Sequence, residues 1–236
     1  MQRPLVRDIV EQLSAEIATL TPGDRLPSEH QLMTRYGVGR AIVRTAVQEL
    51  EDLYLVRRVR GTGTFVNRRV EYRISADTAP SFHQIVEEAG STARTVQAGH
   101  GSVPLSGDLA HQLGLAPGTE VMRLERIGYI DGHPACLFHE WFHPQAVPDL
   151  RTVLPVFESV SAIFRAAGYR PVRRRSVGTV DIAPLEVYAR LDLPEHRQTW
   201  VVESLNVDGD TGRPLMLSRA WTRLDQVRMV FESGGA

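Results

Sequence analysis

Three stretches near the start of the chain carry apolar residues at helical spacing. This pattern predicts amphipathic helices over residues 4–20, 29–36 and 40–52. Ser28, followed three residues later by Gln31, has the form of a capping box at the start of the second helix. The third helix is predicted to bury one face, which consists of Val43, Ala46, Val47 and Leu50.

The opposite face of the third predicted helix is polar. Arg40 and Arg44 are neighbours there because they lie four residues apart, and Thr45 accompanies them. The segment "LVRRVRGTGTFV" follows, and its two short apolar runs on either side of Gly61-Thr62-Gly63 predict a basic hairpin. This order of elements describes a winged helix-turn-helix, whose third helix would enter the DNA major groove. The alternative is a packing module with solvated arginines, and the combined order and spacing argue against it.

The rest of the chain contains a degenerate repeat. "LAHQLGLAPGTEVMRLERIGYIDGHPACLFHEWF" begins near Leu109, and "VYARLDLPEHRQTWVVESLNVDGDTGRPLMLSRAWT" begins near Val187. Glu125 in the first copy aligns with Glu203 in the second. Each copy predicts a short helix, a strand, a turn and a second strand. Two such units pair naturally into one antiparallel sheet with helices on one side, so the fold class is α+β.

The segment "HEWFH" has the spelling of a zinc protease site, with His139, Glu140 and His143. Such a site needs a helix, which alone places positions i and i+4 on one face. Here the segment follows a hairpin turn and precedes Pro144, which favours a strand. In a strand the two histidines would lie roughly 13 Å apart, too far to share a zinc ion. We therefore predict no metal site. Since the sequence also offers no carboxylate pair, nucleophile–base pair or glycine-rich phosphate loop with supporting context, we predict no catalytic residue and no cofactor.

Composition narrows the class of protein. The chain has 236 residues and a single cysteine, Cys136, which excludes an internal disulfide and fits a reducing cytoplasm. No apolar run is long enough to span a bilayer, and the N-terminal residues lack a signal-peptide core, so we expect a cytoplasmic protein with no membrane partner. Residues 1–70 hold 11 arginines against 8 acidic residues, whereas the rest is acidic. A basic head on an acidic body suggests that the head binds any nucleic acid.

The segment "LPSEHQLMTRYGVGRAIVRTAVQELEDLYLVRRVRGTGTFV" resembles the DNA-binding domain of the GntR family of bacterial transcription regulators, and the match covers residues 5–67. The resemblance implies that the third helix and the hairpin contact DNA. His30 stands where the family commonly has an arginine, and Gly39 where it has serine or threonine; both differences bear on sequence preference. The predicted DNA-binding residues are Ser28, Arg40, Arg44, Thr45, Arg58, Arg60, Gly61 and Thr62.

Residues 81–231 resemble the effector-binding domain of the HutC subfamily of GntR regulators, called UTRA. Its clearest marks are "LGLAPGTEVMRLERI" and "RPLMLSRAW", and there is a weaker likeness to phosphonate-operon regulators through "HPACLFHEWF" and "RRRSVGTVDIA". The resemblance implies a chorismate-lyase-like sheet that has lost catalysis, binds a small molecule and forms a homodimer.

The resemblance also suggests where a ligand binds. In amino-sugar-phosphate members an anion is held by arginines and a serine, which match Arg126 and Ser159 here. A second arginine of that pattern falls on Gly128, so the expected ligand is a small anion of another kind. The run "RRR" at 173–175 is a further candidate, or else a solvated loop. The predicted effector contacts are Ser81, Phe82, Arg126, Phe138, Ser159, Arg175 and Met216.

Arg126 has an alternative interpretation, which is a structural salt bridge with Glu125 or Glu203 on the sheet surface. The sequence alone leaves both interpretations of Arg126 open, as an effector contact and as a structural salt bridge.

We interpret the chain as a winged helix-turn-helix over residues 1–67, a linker with one strand over 68–80, and a UTRA-like domain over 81–236. The predicted function is a homodimeric repressor that binds two-fold related half-sites in double-stranded DNA, with affinity set by a small anionic effector. Two alternatives remain. One is a chorismate-lyase-like enzyme fused to a DNA-binding head, and the other is a constitutive dimeric repressor without an effector.

Overall fold

The computed structural model describes residues 6–75, 81–146, 159–194 and 196–231. The chain divides into two compact units, residues 1–69 and residues 70–236, which we call the head and the body. Leu5, at the start of the first predicted helix, and residues 76–80 of the predicted linker lie outside the described residues.

The head contains the elements that its apolar pattern predicts. In chain order they are α1 (Val6–Ile17), α2 (Glu29–Tyr36), α3 (Arg40–Asp52), β1 (Val56–Val59) and β2 (Gly63–Val66). The two strands pair antiparallel. α3 has the predicted bounds and buries the four predicted residues, whereas α1 ends at Ile17, three residues before the predicted limit.

The start and the end of α2 show why the helix-turn-helix forms. The Ser28 side chain accepts a hydrogen bond from Gln31 N, and the Gln31 side chain accepts one from Ser28 N, which is the predicted capping box. Gly37 ends the helix in the left-handed region, at φ 63°, a conformation that costs glycine no steric strain. Leu26, Leu32 and Val38 are buried in the core that α1 and α3 share.

The body contains one long sheet and a separate strand pair. Its elements are β3 (Val70–Ile74), α4 (Phe82–Glu88), β4 (Ala93–Pro104), α5 (Gly107–Leu113), β5 (Glu120–Ile130), β6 (His133–Phe142), α6 (Val160–Ala166), β7 (Pro171–Ile182), α7 (Leu185–Leu191), β8 (Gln198–Asp208), β9 (Pro214–Arg223) and β10 (Val227–Phe231). The sheet is antiparallel with strand order β4-β5-β6-β9-β8-β7. This order reads as two three-strand units joined at β6 and β9, which confirms the repeat.

Helices cover both faces of the sheet. The helices of the two repeat units, α5 and α7, lie on one face as predicted, and α4 and α6 cover the other. Along β6, alternate residues point to opposite faces. Trp141 and Leu137 pack in clusters with α5 and α7, whereas Phe138 and Phe142 pack in clusters with α4 and α6. We call these the outer face and the pocket face. Because both faces of the central strands are covered, β6 is buried continuously from Ala135 to Phe142 rather than at alternate residues.

β3 pairs in parallel with β10, so that Val70 lies opposite Val227. The body therefore begins at residue 70, and the boundary predicted at residue 81 is corrected. Local pattern could not reveal this, because the partner strand lies near the other end of the body sequence. The segment between β2 and β3 is residues 67–69.

Candidate DNA-binding face and ligand pocket

The polar face of α3 is exposed in the head. Arg40, Arg44 and Thr45 are all solvent-exposed, as predicted. Glu29 of α2 lies between the two arginines: Arg40 Nε donates to Glu29 Oε2 at 2.9 Å, and Arg44 Nε lies 3.7 Å from Glu29 Oε1. Exposed ion pairs of this kind contribute little stability. Both guanidinium groups can therefore exchange a carboxylate for a phosphate or a guanine edge at low cost.

The hairpin presents its turn to solvent. Arg60, Gly61 and Thr62 are exposed, and Gly61 has φ 75° with no atom within 4 Å of the position of a Cβ. The turn is closed by a hydrogen bond from Thr62 N to Val59 O at 3.0 Å. This open tip leaves the backbone able to approach a DNA groove closely.

Two of the predicted DNA-binding residues have contacts within the head. Arg58 lies against α3, with its Nε 3.4 Å from Glu51 Oε2 and its Nη2 donating to Arg44 O at 3.4 Å. Ser28 is exposed, and its side-chain oxygen serves the α2 cap. Glu29 was not predicted as part of this face, although its place beside Ser28 in "LPSE" puts it at the first turn of the helix.

A pocket lies on the pocket face of the body sheet, between the sheet, α4, α6 and the β3–β10 pair. Its cavity volume is about 70 Å³, and the pocket is partly open to solvent. Its walls are largely apolar and include the edge-to-face pair Phe82 and Phe138, whose ring centroids are 5.6 Å apart. Those two rings fill the space beside Gly128, where a Cβ would meet Phe82 at 2.9 Å.

Five of the seven predicted effector residues line this pocket: Phe82, Arg126, Phe138, Ser159 and Met216. Ser81 and Arg175 do not. Ser81 is buried at the start of α4, where its hydroxyl accepts a hydrogen bond from Gln84 N at 3.3 Å. Arg175 is exposed because a β-bulge between Arg173 and Arg175 changes which residue faces the sheet. Arg173 lines the pocket in its place, so the choice of Arg175 is corrected.

Arg126 forms a bidentate ion pair with Glu140 inside the pocket. Nε donates to Oε2 at 2.8 Å and Nη2 donates to Oε1 at 2.7 Å. The side chains are only 11% and 4% exposed. The prediction of a salt bridge for Arg126 is thus confirmed in kind and wrong in partner. Glu125 and Glu203 lie on the outer face, where Glu125 contacts Arg123 and His139, and Glu203 pairs with Arg219.

Arg173 is the second arginine of the pocket, and its guanidinium is only partly satisfied. Nη2 donates to the Tyr72 hydroxyl at 3.2 Å, and the guanidinium lies over the Tyr72 ring, 5.8 Å from its centroid. Nη1 is buried, and no described residue accepts a hydrogen bond from it. Asn206, its register partner on β8, is 1% exposed, and its Oδ1 is likewise buried without a donor among the described residues.

Two other polar side chains of the pocket, Ser204 and Thr222, have partners. The Ser204 and Ser176 hydroxyl oxygens are 2.8 Å apart, and Thr222 Oγ1 donates to Cys136 Sγ at 3.4 Å. Burial raises the pKa of the Cys136 thiol to about 12, so this cysteine stays protonated and unreactive at neutral pH.

The first four residues of "HEWFH", His139–Phe142, form the end of β6, so their interpretation as a strand is confirmed; His143 follows the strand directly. His139 packs between Trp141 and Trp221 on the outer face, whereas Glu140 points into the pocket. Burial lowers the pKa of His139, and its imidazole is neutral at pH 7. Within the residues that the structure describes, no three His, Cys, Asp or Glu side chains cluster as metal ligands would. In the same residues, no helix is long and apolar enough to cross a membrane.

Comparisons with known proteins agree with these two units. Residues 5–66 match the model of the gntR family of bacterial regulatory proteins, and residues 88–228 match the model of the UTRA domain. An HTH-type transcriptional regulator of Rhizobium meliloti is 32% identical over 213 residues, covering 88% of this chain and 85% of that protein.

Two further proteins extend the comparison. The mannosyl-D-glycerate transport/metabolism system repressor MngR of Escherichia coli is 31% identical over 151 residues, covering 63% of this chain and 62% of the repressor. The crystal structure of PhnF from Mycobacterium smegmatis shares the fold, with a TM-score of 0.65 at 23% identity, covering 97% of this chain and all of that one.

Proposed function

This chain belongs to the GntR family of bacterial regulatory proteins and carries a UTRA domain, and we propose that it is a homodimeric repressor whose operator affinity is set by a small anion bound in the pocket. That it is a DNA-binding transcription regulator follows from its family. The oligomeric state, the sign of regulation and the ligand are the proposed parts. We also expect it to act in the cytoplasm without enzymatic activity.

The exposed face of α3 supports the DNA-binding mode. A single head offers only one helix and one hairpin tip, so two heads on two-fold related half-sites are needed for useful specificity. Arg40 and Arg44 are the residues that we assign to base or phosphate contacts, and Gly61 permits close approach of the hairpin. Arg58, held against α3, would then support the hairpin more than it reads DNA.

The observation that carries the effector proposal is the pocket itself. It is partly open to solvent, mostly apolar, and contains two arginines for one glutamate among its described lining residues. Such a site suits a small anion. For regulation, the ligand must bind the DNA-competent and DNA-incompetent dimers unequally. We assign the switching element to residues 67–69, since β3 is part of the body.

The test is an operator titration of the full-length protein with and without small anions, alongside sedimentation analysis. We expect a dimer and a change in operator affinity of about 5- to 150-fold with an active anion, which corresponds to a coupling of about 1–3 kcal/mol. A monomer that binds its operator with full affinity would refute the dimeric mode. A dimer whose operator affinity no pocket-binding anion changes would favour the constitutive repressor.

A further inference from the structure

The two arginines of the pocket differ in their readiness to bind a ligand. Glu140 occupies two nitrogens of Arg126 with good geometry, and both side chains are nearly buried. A ligand anion that bound Arg126 would displace the Glu140 carboxylate, which would then be a buried charge without a partner. Arg126 therefore serves best as the fixed partner of Glu140.

Arg173, in contrast to Arg126, has a donor available to a ligand. Its Nη1 is buried in the pocket wall without an acceptor among the described residues, and no described carboxylate pairs with it. A buried charged donor in this state costs free energy that a ligand acceptor would recover. The pocket wall thus contains a buried cation with an unused donor.

Asn206 supplies the complementary feature. It lies opposite Arg173 in the β7–β8 register, so the two side chains project side by side from one face of the sheet. Its buried Oδ1 accepts from no described residue. A ligand that satisfies both groups must present an acceptor to Arg173 and, next to it, a donor to Asn206.

Charge selects among the ligands that have such a pair of groups. Among the described lining residues, Arg126, Arg173 and Glu140 leave one net positive charge. The other titratable side chains there are His83, Tyr72 and Cys136, and burial raises the pKa of the last two, so both are neutral. A monoanion balances that charge. A phosphate dianion would exceed it, and an amino acid, whose ammonium cancels its carboxylate, would leave it uncompensated. A hydroxyl is the donor that leaves the ligand a monoanion.

The walls specify the remainder of the ligand. Phe82, Phe138, Val202, Met216 and Met229 surround the space beyond the two polar residues. Two hydroxyls of the lining already have partners, Ser204 with Ser176 and Thr222 with Cys136. An apolar body fits this lining.

We propose that the pocket binds a hydroxy carboxylate with an apolar body, held by its carboxylate on Arg173 and by its hydroxyl on Asn206. This inference rests on the effector site of the proposed function and names the chemistry of its ligand. Arg126 and Glu140 form a neutral ion pair in the pocket wall and do not balance the negative charge of the ligand.

The test uses the full-length protein and a matched series of probes. Phenyllactate has all three features, phenylpropionate lacks the hydroxyl, free phenylalanine replaces it with an ammonium, and glycerol phosphate is a polar dianion. By calorimetry, phenyllactate should bind the wild type, with phenylpropionate weaker by about tenfold, the lower end for a lost hydrogen bond to a buried polar group. Phenylalanine and glycerol phosphate should not bind.

Two variants and one control locate the contacts. Arg173→Gln should weaken phenyllactate by at least about tenfold, whereas Arg174→Gln, which removes an exposed arginine next to it on the bulge, should not. Asn206→Leu should bind phenyllactate and phenylpropionate equally. Because Arg173→Gln removes an unsatisfied buried charge, the melting temperature of the ligand-free protein should stay the same or rise, which separates lost binding from lost folding.

Binding of glycerol phosphate in preference to phenyllactate would overturn the ligand class while leaving the proposed function intact. Equal affinity of wild type and Arg173→Gln for phenyllactate would overturn the role of Arg173. If no probe binds, the ligand class is again overturned; operator titration of the same samples then shows whether the head still binds DNA, which judges the proposed function separately.

Discussion

Arg126 and Glu140 face each other on the pocket face of β5 and β6 and share two hydrogen bonds of 2.8 and 2.7 Å. The register places Arg126 opposite Phe138, so Glu140 is its diagonal neighbour two residues along β6. Because both side chains are nearly buried, each compensates a charge that water cannot reach.

Removal of one partner should therefore destabilise the body. We expect Arg126→Met or Glu140→Leu alone to lower the free energy of unfolding by about 3–5 kcal/mol, since each leaves an uncompensated buried charge. The double variant should recover most of this loss, because two apolar side chains replace a neutral pair. Chemical denaturation of the four proteins measures the coupling. Additive losses in the double variant would show that the two residues act independently.

The recognition helix gives a prediction about DNA. Arg40→Ala and Arg44→Ala should each weaken specific operator binding by about 1–3 kcal/mol per lost base contact while the fold is retained. Arg190→Ala is the control, because it removes an exposed arginine from α7 of the body. Fluorescence anisotropy with operator DNA and circular dichroism provide the measurements. Wild-type affinity in both α3 variants would show that another surface binds DNA.

The hairpin tip gives a second prediction about DNA. Gly61→Val places a β-branched residue at φ 75°, so it should cost some stability and reduce operator affinity further than that loss explains. Gly132→Val imposes the same kind of strain, at φ 80° in the β5–β6 turn of the body, without touching the head. If the two variants lose equal stability and bind DNA equally well, the hairpin tip makes no DNA contact.

Metal content provides a third kind of measurement. We expect purified protein to hold no stoichiometric zinc, because His139 lies in strand β6. At strand spacing His143 would be roughly 13 Å away, too far to share a zinc ion. Elemental analysis of the wild type, His139→Ala and His143→Ala should give the same low value. One zinc ion per chain, lost in either variant, would contradict the interpretation of β6.

The pH dependence of stability should reflect His139. Burial lowers the pKa of its imidazole below the ordinary value of 6.5. As pH falls through 6.5, His139 becomes protonated in the unfolded chain but stays neutral in the folded protein. The free energy of unfolding should therefore decrease as pH falls through this range. Denaturation midpoints measured on both sides of that pH should show a smaller difference in His139→Gln. An unchanged difference would assign the effect to other groups, including His143, whose pKa burial also lowers.

The elements of the head could be predicted closely because their signals are local. The bounds of α3 follow from apolar spacing within one helix, and the cap of α2 follows from Ser28 and Gln31. In the body, the two copies of the repeat predicted β5, β6, β8 and β9, because each copy also carries its signals within a short stretch of sequence. The pairing of β3 with β10 depends on residues far apart in sequence, and no local pattern contains it.

The pocket could be predicted only in part. Strand alternation does exclude Glu125 as the partner of Arg126, since adjacent residues of a strand face opposite sides. It does not identify Glu140, whose position depends on the β5–β6 register. The choice between Arg173 and Arg175 depends on a β-bulge, which shifts facing by one residue and has no clear mark in "RRR".

The β3–β10 pair also determines the order in which the protein can be completed during translation. The head has its own apolar core, and all of its elements precede Asn67, so it can fold while the body is still being synthesised. Tyr72 of β3 and Met229 of β10 both line the pocket, which therefore cannot close until residue 229 has left the ribosome. A nascent chain thus exposes a folded DNA-binding head before it has a ligand pocket.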